Sequence, residues 1–261
     1  AARPAMGKTS FSLTLARNTA VDFGQGVAVF SLEMSSVQLV TRLISAETQL
    51  TSEKLRKGKL TDYEWEQLTS KIDNLSKAPI FIDDTPAISV FELRAKVRRL
   101  KSQHDIQLIV IDYLQLMTAG GSGGNREQEI STISRSLKSI AKEINVPVIA
   151  LSQLSRAVET RTGHKRPMLS DLRESGAIEQ DADIVMFLYR PSYYGFTEDE
   201  EGNSVEGITE LIVAKHRNGK VDTVKLKFVD HLAKFVDNDY NETSRSEEHT
   251  SNSSHVAISY A

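Results

Sequence analysis

Residues 1–10 read AARPAMGKTS, and within them Arg3-Pro4-Ala5-Met6-Gly7-Lys8-Thr9 matches most of the phosphate-loop pattern G-x-x-x-x-G-K-[ST]. In such a loop, backbone N–H groups and the N-terminus of the following helix hold phosphate oxygens. Arg3, Gly7, Lys8, Thr9 and Ser10 are therefore the candidate phosphate-holding residues. Lys8 would reach the β- and γ-phosphates of a nucleotide such as ATP, and the Thr9 hydroxyl would ligate Mg²⁺. The pattern's first glycine is replaced by Ala2, and a bare Gly-Lys-Thr also opens ordinary helices. The residues downstream decide between the two.

A phosphate loop normally follows a strand. No strand precedes this one, so the sequence reads as a fragment cut on its N-terminal side. Downstream, short apolar runs rich in β-branched residues predict buried strands at 27–31 (VAVFS), 79–82 (PIFI), 108–111 (LIVI), 146–151 (VPVIAL) and 184–188 (IVMFL). Near-continuous apolar runs suit a parallel sheet covered on both faces. Helical spacing is found over 9–22, 37–46, 62–75, 90–104 and 127–144. Strands alternating with helices predict an α/β fold with a mostly parallel central sheet. Residues 208–214 and 221–229, around Asn218-Gly219, predict a C-terminal β-hairpin.

Four of the five predicted strands are followed by a candidate polar residue, and strand ends face the ligand crevice of a parallel sheet. Asp112 ends LIVI and could hold the magnesium hydration shell, or cap a helix. Glu33, in SLEMS, could orient and deprotonate an attacking water, or cap the helix that follows. Gln153, in LSQ, could sense a γ-phosphate without adding charge, or merely end its strand. Asp83 and Asp84 read as capping and solvated carboxylates.

The chain has 261 residues, a net charge of −3, 39% hydrophobic and 26% charged residues, and no cysteine. That excludes disulfides, thiolate metal sites and a cysteine nucleophile. No run approaches the roughly 18–20 apolar residues of a membrane span, so the reading is a soluble, cytoplasmic protein with no membrane partner. Residues 1–238 read as one domain and 239–261 as a tail outside the fold. Within that tail, RSEEHTS resembles the conceptual translation of a sequencing-adapter read; a disordered natural tail is the alternative.

Taken in order, AARPAMGKT, SLEMS, IDYLQLM, NVPVIALSQLSR, DLRESGAIEQDADIVMFLYR and KHRNG resemble the C-terminal motor domain of the DnaB replicative helicases, over about residues 1–236. Ala2 agrees with that family's usual loop. The resemblance implies a RecA-like ATPase fold, a ring-shaped homohexamer, ATP and Mg²⁺ at subunit interfaces, and 5′→3′ translocation on single-stranded DNA at the replication fork. It implies primase and a helicase loader as partners of the full-length protein. Residue by residue, it implies Lys8 and Thr9 on phosphate and Mg²⁺, Glu33 as catalytic base, Asp112 as the Walker-B acid and Gln153 as γ-phosphate sensor. Arg217 matches the arginine finger that reaches a neighbouring subunit's ATP, with Lys215 beside it. The Gly-rich stretch 118–125 and the segment through Gly176 match two pore loops, with Arg173, Glu174 and Gly176 on the DNA backbone. His164, Lys165 and Arg166 could add positive field there, or form an ordinary charged loop. Tyr193 and Tyr194 suit packing better than base stacking. Two other readings stand beside this one: another RecA-like DNA-dependent ATPase of the recombinase type, and a nucleotide-binding DNA clamp without hydrolysis.

Overall fold

The computed structural model describes residues 1–120, 125–161, 165–199 and 201–239, with the side chains of 173–175 outside the description. The Gly-rich residues 121–124, His164 and the tail from 240 onward therefore lie outside the described residues.

In chain order the elements are α1 (Lys8–Arg17), continued by a π-helical turn over Asn18–Asp22, then β1 (Gly26–Ser31), α2 (Ser36–Thr48), α3 (Ser52–Lys57), α4 (Asp62–Lys77) and β2 (Ile80–Asp83). They continue as α5 (Val90–His104), β3 (Ile106–Asp112), α6 (Arg126–Ile144), β4 (Val148–Ala150), α7 (Ala157–Thr160) and α8 (Gly176–Asp181). The last four are the strands β5 (Ile184–Tyr189), β6 (Ile208–His216), β7 (Asp222–Val229) and β8 (Lys234–Asp237).

Four strands form a parallel sheet in the order β2-β1-β3-β4, with Ser31 opposite Asp112 and Ile111 opposite Ala150. All of β1 is buried because both faces are covered. Ala28 and Phe30 pack with Leu93 and Val97 of α5 and Ile133 and Leu137 of α6. Val27 and Val29 pack on the other face with Leu13 and Ala16 of α1 and Leu39 of α2. That double burial is why the strand reads as an unbroken apolar run rather than an alternation.

The predicted hairpin is part of a second, antiparallel sheet in the order β5-β6-β7-β8. The run 184–188 thus pairs antiparallel with β6 rather than joining the parallel set. Residues Ala1 and Ala2 connect the two sheets. Ala2 N–H donates to Ser152 O (3.1 Å), Leu154 N–H donates to Ala2 O (3.2 Å), and Leu188 N–H donates to Ala1 O (3.1 Å). The phosphate loop accordingly springs from between β4 and β5.

Strand β8 lies back across α1. Phe235 meets Phe11 edge-on, with ring centroids 5.6 Å apart, and its N–H donates to Thr14 Oγ1 (3.3 Å). Gly7 sits against the Phe235 ring with φ +90°, where an added Cβ would come within 2.9 Å of it. Gly7→Ala should therefore destabilise the fold by about 1–3 kcal/mol through left-handed backbone strain and the clash. Thermal melts would show this as a drop of several degrees; an unchanged midpoint would mean the loop relaxes freely.

Candidate active site

The phosphate loop is shaped by two left-handed residues, Ala5 (φ 63°) and Gly7 (φ 90°). Gly7 is the N-cap of α1 and provides no side-chain cap. The first N–H groups of a helix have no intrahelical acceptor, so here they face the loop with the positive end of the helix dipole. Lys8 Nζ donates to Ala2 O (3.2 Å) and Arg3 O (3.4 Å), which holds the ammonium across the loop mouth. Burial lowers its pKa, with the carboxylates of Asp112 and Glu33 acting in the opposite direction. Ser10 is buried in the first turn of α1. Position in the loop groups Arg3 with the phosphate-holding residues; its guanidinium donates instead to Leu154 O (2.6 Å) and Glu159 Oε1 (2.9 Å), tying the loop to α7.

The C-terminal ends of β1 and β3 bring the acidic residues to this loop. Thr9 Oγ1 donates to Asp112 Oδ2 at 2.5 Å. Asp112 is 2% exposed, and its other oxygen, Oδ1, is buried without a hydrogen-bond partner. Desolvation raises the Asp112 pKa, with nearby Glu33 adding to the rise; the Thr9 hydrogen bond, Lys8 and Arg42 act against it. A buried carboxylate oxygen left free beside a hydroxyl is a hard-oxygen pair of the kind Mg²⁺ prefers. Among the described residues no group of three or more His, Asp or Glu could hold a metal by itself. That suits Mg²⁺, which typically takes one or two carboxylates and completes its shell with phosphate and water.

Glu33 is exposed two residues beyond Ser31, the residue opposite Asp112. The capping alternative is resolved by its neighbours. Ser35 is the N-cap of α2, in a reciprocal box with Gln38, and Asp84 Oδ2 accepts from Ser36 N–H (2.7 Å). Glu33 takes no part in that cap. Asp84 is thus the capping, solvated carboxylate expected, whereas Asp83 is half-buried in an ion pair with Lys96 (2.7 Å).

Gln153 lies beside the loop, bridged to Ala2. Two residues that sequence reading missed join the site. Arg42, on α2, is close enough to influence Asp112 electrostatically. Gln115, three residues after Asp112, hydrogen-bonds the Gln153 main chain. Arg42 lies nine residues after Glu33 on the next helix, and neither it nor Gln115 carries a sequence signal for the site.

Lys215 and Arg217 stand apart from this cluster. Lys215 Nζ donates to the carbonyls of Glu179 and Ala182, the latter at 2.9 Å, and Arg217 donates to Gln180 O (2.5 Å). Both side chains thus cover the C-terminal carbonyls of α8, where cations are favoured. Neither makes a hydrogen bond or ion pair with the phosphate loop, Glu33 or Asp112. Arg173 and Glu174 fall in the 3₁₀ turn Leu169–Ser175, and their side chains lie outside the described residues; Gly176 opens α8, exposed, with open space around its Cα. Arg166 pairs with Glu210 (2.9 Å), which offsets its positive field. Tyr194 stacks on Tyr189 (5.9 Å), in keeping with packing, while Tyr193 is half exposed. No helix among the described residues is long and apolar enough to cross a membrane.

Residues 1–237 match the family described as the DnaB-like helicase C terminal domain. Over 237 residues the chain is 56% identical to the replicative DNA helicase DnaB of Geobacillus stearothermophilus and 55% identical to the replicative DNA helicase DnaC of Bacillus subtilis (strain 168). Each alignment covers 90% of this chain and 51% of the relative, so the chain spans about half the length of the curated relatives it matches. Among solved structures, an isolated ATPase domain superposes with a TM-score of 0.84 at 42% identity, covering 90% of this chain and 82% of that one. A DnaB-like replicative helicase studied with primase superposes with a TM-score of 0.83 at 42% identity, covering 90% and 56%.

Proposed function

Because this chain belongs to the DnaB-like helicase C-terminal domain family, we propose that it is the ATP-hydrolysing motor domain of a replicative DNA helicase, translocating 5′→3′ on single-stranded DNA as part of a homohexameric ring. The observation that carries this reading is the convergence of Lys8, Thr9, Asp112 and Glu33 on one loop at the ends of β1 and β3.

In this reading the helix N-terminus and Lys8 bind the β- and γ-phosphates. Thr9 and Asp112 hold Mg²⁺, whose charge offsets that of the phosphates when bound. Glu33 orients and deprotonates the attacking water, and Gln153 contacts the γ-phosphate. Arg217, with Lys215, completes the site of a neighbouring subunit, consistent with both side chains contacting the end of α8 rather than their own loop. Arg173, Glu174 and Gly176 hold the single-strand phosphate backbone, which gives affinity without reading sequence. The full-length protein would meet primase and a loader in the cytoplasm.

The test is Mg²⁺-dependent ATP turnover with and without single-stranded DNA, run beside Glu33→Gln. The variant should keep ATP affinity and lose on the order of 10²-fold or more in turnover, as for loss of a positioned base. Near-wild-type turnover would remove Glu33 from the chemistry.

A further inference from the structure

A γ-phosphate sensor needs its side chain held at one place, and the structure shows what fixes the peptide that carries it. Gln153 lies three residues past the last β3–β4 pair, Ile111↔Ala150. One of its sides is bridged to Ala2 at the root of the phosphate loop. On the β3 side the ladder has ended, because the chain turns away after Asp112 into a 3₁₀ turn at Leu114–Leu116.

The side chain of Gln115 occupies the place of the missing rung. Gln153 N–H donates to Gln115 Oε1 (3.3 Å), and Gln115 Nε2 donates to Gln153 O (3.4 Å) and Ser152 Oγ (2.9 Å). A primary amide offers the same donor and acceptor pair as a peptide group. It can therefore extend the ladder by one unit.

Gln115 is itself held firmly. Leu114 and Met117, on either side of it, are buried, and Leu114 N–H donates to Leu151 O (2.9 Å). The Gln115 carbonyl accepts from the guanidinium of Arg126, the first residue of α6. Functional geometry is kept tight by supporting groups that are themselves locked.

We propose that Gln115 is a positioning residue whose side-chain amide, acting as a surrogate peptide, keeps the Gln153 main chain in register with the phosphate loop so that Gln153 can contact the γ-phosphate. The proposal rests on the nucleotide-site reading above and acts only through Gln153.

The test measures the affinities of Mg²⁺ with β,γ-imido-ATP and with ADP, for wild type, Gln153→Ala, Gln115→Leu and Gln115→Glu, with thermal melts alongside. Gln115→Leu should weaken the ATP analogue about five- to tenfold, as loss of a neutral hydrogen bond does, and leave ADP unchanged. Gln153→Ala should show the same pattern. Gln115→Glu, which keeps an acceptor for Gln153 N–H, should fall between wild type and Gln115→Leu. If Gln115→Leu lowers the melting temperature yet keeps the wild-type ratio of the two affinities, Gln115 is only structural and the proposal fails. Should Gln115→Leu not fold, Gln115→Glu decides, and a wild-type ratio in it overturns the proposal. A wild type that binds neither nucleotide would bring down the site reading itself, and this inference with it.

Discussion

A Lys8→Ala chain is expected to show no measurable ATP binding at concentrations that saturate the wild type, and no turnover. Lys8 Nζ already donates to two carbonyls at the loop mouth, so it is poised where phosphate oxygens would compete for it. Hydrogen bonds to charged groups contribute about 1.5–3 kcal/mol each, so losing two weakens binding by on the order of 10²-fold or more. Burial lowers the Lys8 pKa, whereas Asp112 and Glu33 act to raise it, so the two carboxylates favour the charged ammonium at the loop. Equilibrium titration with a fluorescent ATP analogue checks the point. Normal affinity in the variant would sink the phosphate-loop assignment, whatever its melting temperature.

Arg217→Ala should leave nucleotide affinity near normal and reduce turnover by about 10³-fold or more, the range attributed to an arginine finger. The structure adds a reason why this residue can serve a neighbour. Its guanidinium is about half exposed, donates to the Gln180 carbonyl, and lies 3.7 Å from Asp183. Exposed pairs of this kind contribute at most about 1 kcal/mol, so Arg217 can leave α8 readily. Lys215 is held by more carbonyls of the same helix end and is the firmer of the two. Steady-state turnover and nucleotide titration on one preparation separate the outcomes. Equal loss of binding and turnover would place Arg217 in the structure of its own subunit.

The parts of the fold that were legible in the sequence are those where one physical cause dominates. β1 and β3 are covered on both faces, so their residues form near-continuous, β-branched apolar runs of strand length. The position of Glu33 and Asp112 beside the phosphate loop was legible because parallel strands deliver their C-terminal residues to one crevice. β8 was missed because four residues after a short turn carry little pattern; it exists because Phe235 packs on Phe11 and Phe228. Antiparallel pairing of β5 was missed for a related reason: Ile184–Tyr189 is apolar whichever direction its neighbour runs. α3 has no buried residue, so its six residues show no apolar stripe. Arg3 looked like a phosphate ligand from its place in the loop, yet the direction of its side chain is set by Glu159, more than 150 residues away. Gln115 illustrates the same limit, since its partner is fixed by tertiary structure alone.

If hydrolysis is completed between copies of this chain, the phosphate loop comes from one copy and Arg217 from another. Mixing Lys8→Ala and Arg217→Ala chains, each inactive alone, tests it most directly. An Arg217→Ala chain retains an intact phosphate loop, and a Lys8→Ala neighbour supplies an intact Arg217. Turnover is expected to reappear on mixing and to peak at intermediate ratios; inactivity at every ratio, with mixed assemblies shown to form, would mean that Arg217 does not act on a neighbour's nucleotide.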